Sequence, residues 1–305
     1  MIKKFCFKIK KYIIRKIYII YLFIFCIRHS KEKIILIGGY GMGDLCISMA
    51  YFEEFLLKNP NEKFIIISSN KTRWLLERYN IGKCKLKYCN NKTISYLEMA
   101  VHSIDMSYLI RKLKRRNLII ADPWSYIEES MIFYEGLSAL GIYRDAIFKV
   151  GYDASIIYAP AIKTELDLKI KSKSVLLNYF SNSSNIPIDD WINIIEFLNE
   201  SGYNVYVNSP NQNKNEIKNV ISLNLNMDEL YSIANKFEMI ISIRSGFLDY
   251  IIKECHHLIC IYENYNFYNI YNLNKWNVKN LKIQSFLSTD KGYVELVKEG
   301  IKKWM

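Results

Sequence analysis

Short apolar runs alternate with helical patterns along most of this chain. Residues 34–37 (IILI) read as a buried strand, followed by a glycine-rich stretch from Gly38 to Gly43 and a helical apolar pattern reaching about Leu57. Phe64 to Ile67 reads as the next strand, Lys71 to Tyr79 as a short helix, and a helical region from about Ile94 to Arg116 precedes a strand at Leu118 to Ala121. A second cycle follows the polar, charged stretch Lys163 to Lys173, which reads as a linker. Ser174 to Asn178 is its first strand, Ser181 to Asn185 a polar loop, and Asp189 to Ser201 a helix closed by Gly202 at its C-cap. Val205 to Val207 is a strand, and Asn226 with Glu229 has capping-box spacing at the head of the next helix. Met239 to Ile243 is a further strand. Arg244, Ser245 and Gly246 then open a helix to about Glu254, and Leu258 to Tyr262 closes the series.

Strand and helix in alternation predict parallel sheets covered on both faces, hence an α/β chain with two doubly wound, Rossmann-like domains. The expected division is a separate N-terminal segment at 1–32, domains at 33–165 and 166–285, and a closing helical segment at 286–305. That last segment has Val294, Val297, Ile301 and Trp304 at helical spacing and is expected to cross back onto the first domain. A length of 305 residues suits two cores better than one.

The net charge of +12 is concentrated at the start. Residues 1–33 hold ten Lys or Arg against one acid, Glu32, which leaves +3 for the other 272 residues. A nucleic-acid partner is therefore not expected, since that would need basic residues spread over the folded body. Lys4, Lys8, Lys11 and Arg15 recur at helical spacing and run into eleven apolar residues, Ile17 to Ile27, too few for the ~20 that cross a bilayer. No small-residue cleavage pattern follows, so retention in the cytoplasm is expected. Two readings remain: a basic apolar helix lying on the anionic inner face of the membrane, or one packed on the protein itself.

Seven cysteines in an odd set suit a reducing compartment. Cys84 with Cys89, and Cys255 with Cys260, each have four intervening residues, the upper end of the two to four usual between paired zinc ligands, but both segments read as strand-forming, so buried thiols are favoured over metal ligands.

Gly41 and Gly43 match the first two positions of a dinucleotide fingerprint, but Cys46 stands at the third and Ile67, Ser68, Ser69 and Asn70 supply no ribose-binding acid. A phosphate-binding Walker loop is excluded because no Lys followed by Ser or Thr closes the turn. What remains is a loop at Gly39, Gly41 and Gly43 through which a ligand approaches backbone, with Asp44 as either a helix cap or a catalytic base. In the second half, Arg244, Ser245 and Gly246 stand where a strand passes into a helix, a place that favours an anion such as a diphosphate. Arg244 offers a planar fork of donors, and Asp249, on the same helix face as Ser245, is expected to fix Arg244 or a sugar hydroxyl. An ordinary capped helix with a surface ion pair is the competing reading.

Three segments together resemble the family 9, heptosyltransferase-like glycosyltransferases: IILIGGYGMGDLCIS, SVLLNYFSNSSNIPIDDWINIIEFLNESGYNVYV and LNMDELYSIANKFEMIISIRSGFLDYI. The resemblance spans nearly all of residues 33–285. It implies a GT-B fold with two domains facing a central cleft, an acceptor on the first domain and a nucleotide-diphosphate sugar on the second. It also implies inversion at the anomeric carbon, no required metal or cofactor, and Asp44 as the base. Ser181, Ser183, Ser184, Arg244, Ser245, Gly246 and Asp249 then fall on the donor side, and Gly39, Gly41 and Gly43 in the acceptor-side loop. Where the family pattern has Asp-Ser-Gly with a His three further on, this chain has Arg244 in place of the Asp and Asp249 in place of the His, a form similar to capsule and surface-polysaccharide transferases. An ADP-heptose donor is therefore not carried over. The expected acceptor is a glycan or lipid-linked sugar of a capsule, lipopolysaccharide or O-antigen pathway. The alternative is an inactive, membrane-associated binding protein with the same fold.

Overall fold

A computed structural model describes residues 2–37, 42–79, 81–82, 84–101, 107–114, 116–122, 141–150, 161–181, 186–208, 217–275, 278 and 280–305. The chain divides into two compact units, Met1–Glu135 with Leu140–Asp153, and Gly136–Ala139 with Ala154–Met305.

The first unit holds α1 (Ile2–Arg28), β1 (Lys33–Ile37), α2 (Met42–Lys58), β2 (Phe64–Ser69), α3 (Arg73–Leu76), β3 (Lys85–Cys89), α4 (Asn91–Val101), α5 (Ser107–Lys114) and β4 (Leu118–Ala121). Its four strands are all parallel in the order β3-β2-β1-β4. β1 and β2 are apolar in unbroken runs because both faces of a parallel sheet are covered. Ile34 and Leu36, two apart and hence on one face, share a core with Ile65, Ile67, Leu97 and Ile120.

That core also takes in Ile19, Leu22 and Cys26 of α1, each at most 2% exposed. The Asn117 amide fastens the end of the helix by donating to the carbonyls of Cys26, His29 and Glu32 at 3.0–3.1 Å. Residues 1–32 are thus not a detachable segment, because half of α1 fills the first unit. The helical region expected from about Ile94 to Arg116 contains α4 and α5.

The second unit holds β5 (Ser174–Asn178), α6 (Ile188–Glu200), β6 (Asn204–Asn208), β7 (Ile221–Leu223), α7 (Met227–Ile233), β8 (Met239–Ile243), α8 (Gly246–Ile251), β9 (His257–Tyr262), α9 (Tyr265–Tyr271), β10 (Lys282–Leu287) and α10 (Tyr293–Lys302). All six strands are parallel in the order β10-β9-β8-β5-β6-β7. Chain order and space order reverse between β5 and β8, which defines the switch point of a doubly wound sheet. The Asn226 side chain accepts from the backbone of Asp228 and Glu229 while Glu229 returns a bond to Asn226, completing the capping box that the spacing predicts. Gly202 closes α6 with φ +81°, a conformation that L side chains rarely adopt.

Two expectations about the C-terminus are corrected here. A boundary at 285 would cut through β10. The closing helix belongs to the second unit's own core, where Tyr293, Val297 and Ile301 of α10 are buried with Trp191 and Ile195 of α6. The Tyr293 hydroxyl donates to Asp190 at 2.7 Å and bolts α10 to the start of α6.

Candidate active site

In the second unit the ends of β5 and β8 lie side by side, with Asn178 in register with Ser242. The Asn178 amide crosses between the strands and donates to the hydroxyls of Ser242 at 2.9 Å and Ser245 at 3.5 Å. Ser242 passes a bond on to the Ile243 carbonyl at 2.8 Å. Asn178, Ser245 and Gly246 are half-buried at this mouth, and Ser181 is half-buried three residues beyond β5. Ser183 and Ser184, expected on the donor side, lie outside the described residues. Sequence reasoning did not select Asn178. The available signal was its place as the last residue of a strand at the head of a βα unit.

Arg244, the residue before Ser245, is buried. Its guanidinium is 5% exposed and grips Asp249, itself 2% exposed, through two parallel bonds of 2.8 and 3.0 Å. It also donates to the carbonyls of Ser245 at 2.8 Å and Tyr271 at 3.1 Å, and the Tyr271 ring lies 5.4 Å away. Burial works against the charge on Arg244, but the Asp249 carboxylate outweighs it and holds the guanidinium above its ordinary value. Burial pushes Asp249 up while Arg244 opposes the shift. Of the two roles expected of Asp249, fixing Arg244 or a sugar hydroxyl, the structure shows the first, and the pair ties β8 to the start of α8 and the end of α9. Tyr262 adds to the same tie, donating to the Tyr271 carbonyl at 3.3 Å and accepting from the Leu273 backbone at 2.9 Å. α8 is only six residues long, so its end supplies little field of its own. Among the described residues, Asn178, Ser245 and Gly246 offer neutral hydroxyl, amide and backbone groups at this mouth.

In the first unit the corresponding place lies between β1 and β4, where Ile37 is in register with Ala121. Gly39 and Gly41 lie outside the described residues. Gly43 is buried in the first turn of α2, and Asp44 is half-buried beside it. Asp44 is the third residue of α2 rather than its cap. Asp122 follows β4 directly and is 4% exposed, a buried carboxylate at the same end of the sheet that sequence reasoning missed. Its signal was an acid immediately after an apolar strand run.

Of the described thiols, Cys26 and Cys46 are buried as small core groups, whereas Cys84 and Cys89 are half-buried. Cys255 and Cys260 are buried, and burial alone pushes Cys26 to about 12. Among the described residues no three His, Cys, Asp or Glu side chains gather as a metal site.

No family model matches the chain, and no curated protein matches it in sequence. Solved structures do match its fold. A family 9 glycosyl transferase from Veillonella parvula superposes with a TM-score of 0.51 at 13% identity, covering 88% of this chain and 91% of its own. The Escherichia coli ADP-heptose LPS heptosyltransferase II gives 0.52 at 13% identity over 89% and 98%. E. coli heptosyltransferase WaaC, solved with ADP, gives 0.51 at 11% identity over 90% and 100%. The fold is GT-B. In a GT-B chain the second Rossmann-like sheet is the one with six strands here, and its β5/β8 mouth is the crevice where open α/β sheets take ligands.

Proposed function

We propose that this protein is a glycosyltransferase that moves a sugar from a nucleotide-diphosphate sugar to a glycan or lipid-linked acceptor, in bacterial capsule, lipopolysaccharide or O-antigen synthesis. The observation that carries the proposal is the contrast between its two sheet ends within a GT-B fold. One presents a half-buried carboxylate, Asp44, and the other a set of neutral donors, Asn178, Ser245 and Gly246. The reading places the protein in the cytoplasm at the inner membrane face. A nucleoside diphosphate is the class of donor moiety that suits it, and one of the E. coli neighbours was solved with ADP.

In the proposed reaction Asp44 takes the proton of an acceptor hydroxyl as that oxygen attacks the anomeric carbon. The new C–O bond forms as the bond to the diphosphate breaks, with inversion, and the departing electron pair stays on the diphosphate oxygen. Hydroxyl and amide donors at the β5/β8 mouth receive the growing negative charge without a required metal. Arg244 and Asp249 are positioning residues that hold the Ser245–Gly246 turn in place. The test is a screen of nucleotide-diphosphate sugars for nucleoside diphosphate release, with and without lipid-linked and glycan acceptors. Binding of nucleotides with no release from any donor would favour the inactive binding protein instead.

A further inference from the structure

The helix α1 has two apolar faces, and only one is covered. Ile19, Leu22 and Cys26 are buried in the first unit. Ile9, Ile13, Ile17, Ile20, Ile24 and Ile27 step along the helix at intervals of three and four and are each 43–57% exposed. At 100° per residue this stripe lies on the far side of the helix from the buried set. Exposed cations border it, with Lys16 on one side and Lys10 and Arg28 on the other. From β3, Lys87 reaches the same helix, donating to the Tyr21 hydroxyl at 2.7 Å and lying 4.2 Å over the Phe25 ring. Glu32 is the one acid of residues 1–33 and is already engaged by Lys85 and His29.

A continuous apolar stripe rimmed by cations has the chemistry of an anionic bilayer surface, with isoleucines among the acyl chains and Lys and Arg at the headgroups. No described helix is long and apolar enough to cross a membrane, and the covered face of α1 is fastened by Asn117. We propose that α1 lies in the plane of an anionic membrane as a fixed part of the first unit, so that the fold itself, rather than a flexible leader, rests on the lipid. This deepens the membrane-side placement proposed above and does not depend on turnover. Removing residues 1–29 is a poor test, since it takes Ile19, Leu22 and Cys26 out of the core.

The test uses the intact chain and sedimentation with vesicles of phosphatidylcholine alone or with one quarter phosphatidylglycerol. Wild type should pellet with the anionic vesicles at low salt. The triple variant Ile17→Ser/Ile20→Ser/Ile24→Ser should keep its melting temperature within a few degrees and partition on the order of tenfold or more less well. Lys10→Gln/Lys16→Gln/Arg28→Gln, all at exposed positions, should lose roughly 10² in partitioning on anionic vesicles, at about 1 kcal/mol per cation, and little on neutral ones. Wild type that ignores anionic vesicles would overturn the membrane placement itself. Wild type that binds, with a folded serine variant that binds equally, would overturn only the assignment to α1. A lipid-free dimer that the serine substitutions dissociate would assign the stripe to a second copy of the chain and overturn the proposal.

Discussion

The two sheet ends solve different electrostatic problems. At the β1/β4 end a carboxylate stays half-buried in the first turn of α2, and a second one, Asp122, is buried after β4. At the β5/β8 end the strand-to-helix turn carries a buried Arg–Asp pair, Arg244 with Asp249, and the half-buried Asn178, Ser245 and Gly246 beside it are neutral. A proton acceptor must keep an ionisable group accessible. A site for a diphosphate leaving group gains more from fixed donors whose orientation is paid for in advance by the fold. On the proposed reading the Arg244–Asp249 pair of the second site serves geometry, while Asp44 of the first serves chemistry.

The sharpest way to break this comparison is at Asp44. Asp44→Asn should lower kcat by roughly 10² to 10⁴, the range for a lost general base, with donor affinity unchanged. Turnover within a few-fold of wild type, measured on the best donor found, would return Asp44 to a structural part in the first turn of α2.

Arg244→Ala comes next, and its effect should fall on stability. It leaves Asp249 buried without its main partner, which costs about 3–5 kcal/mol. Denaturant unfolding of the ligand-free protein should report this loss, and Arg244→Lys should recover part of it. If Arg244→Ala instead keeps wild-type stability and weakens nucleoside diphosphate binding, Arg244 meets the ligand and the second site is as charged as the first.

A smaller effect is expected at Asn178, which bridges the strands at the mouth. Asn178→Ala should weaken nucleoside diphosphate binding about three- to tenfold, corresponding to roughly 0.5–1.5 kcal/mol for a neutral hydrogen bond. Calorimetric titration beside a melting curve separates that loss from unfolding.

The smallest effect concerns Glu32, which joins the end of α1 to β3 in the first unit. Hydrogen bonds from Lys85 and then His29 hold its carboxyl below the usual range. Its contribution to stability is thus present above the ordinary Glu value and is lost as pH falls through the depressed folded-state value. Glu32→Gln should lower the melting temperature slightly at neutral pH, and the gap to wild type should close as pH falls below about 4.3. An identical acid profile in both proteins would show that the Glu32 contacts carry no stability.

What the sequence by itself determined is whatever depends on neighbours along the chain. The apolar runs of β1, β5 and β8, the turn glycine at Gly202 and the capping box at Asn226 all follow from local spacing and were legible in it. β7 and β10 were not, because edge strands are only partly buried and ISL and KIQSFL carry too weak an apolar pattern. The sequence also placed Arg244 and Asp249 five residues apart at a ligand-binding turn, but spacing does not say whether two such charges face a ligand or each other. That was decided by burial: the pair is nearly enclosed, and Arg244 donates to the Asp249 carboxylate and to the Tyr271 carbonyl. α1 shows the same division. Its spacing announced a helix with apolar and basic sides, whereas only the docking of β1, β2 and α4 against Ile19, Leu22 and Cys26 decided which apolar side the fold consumes and which it leaves to the surroundings.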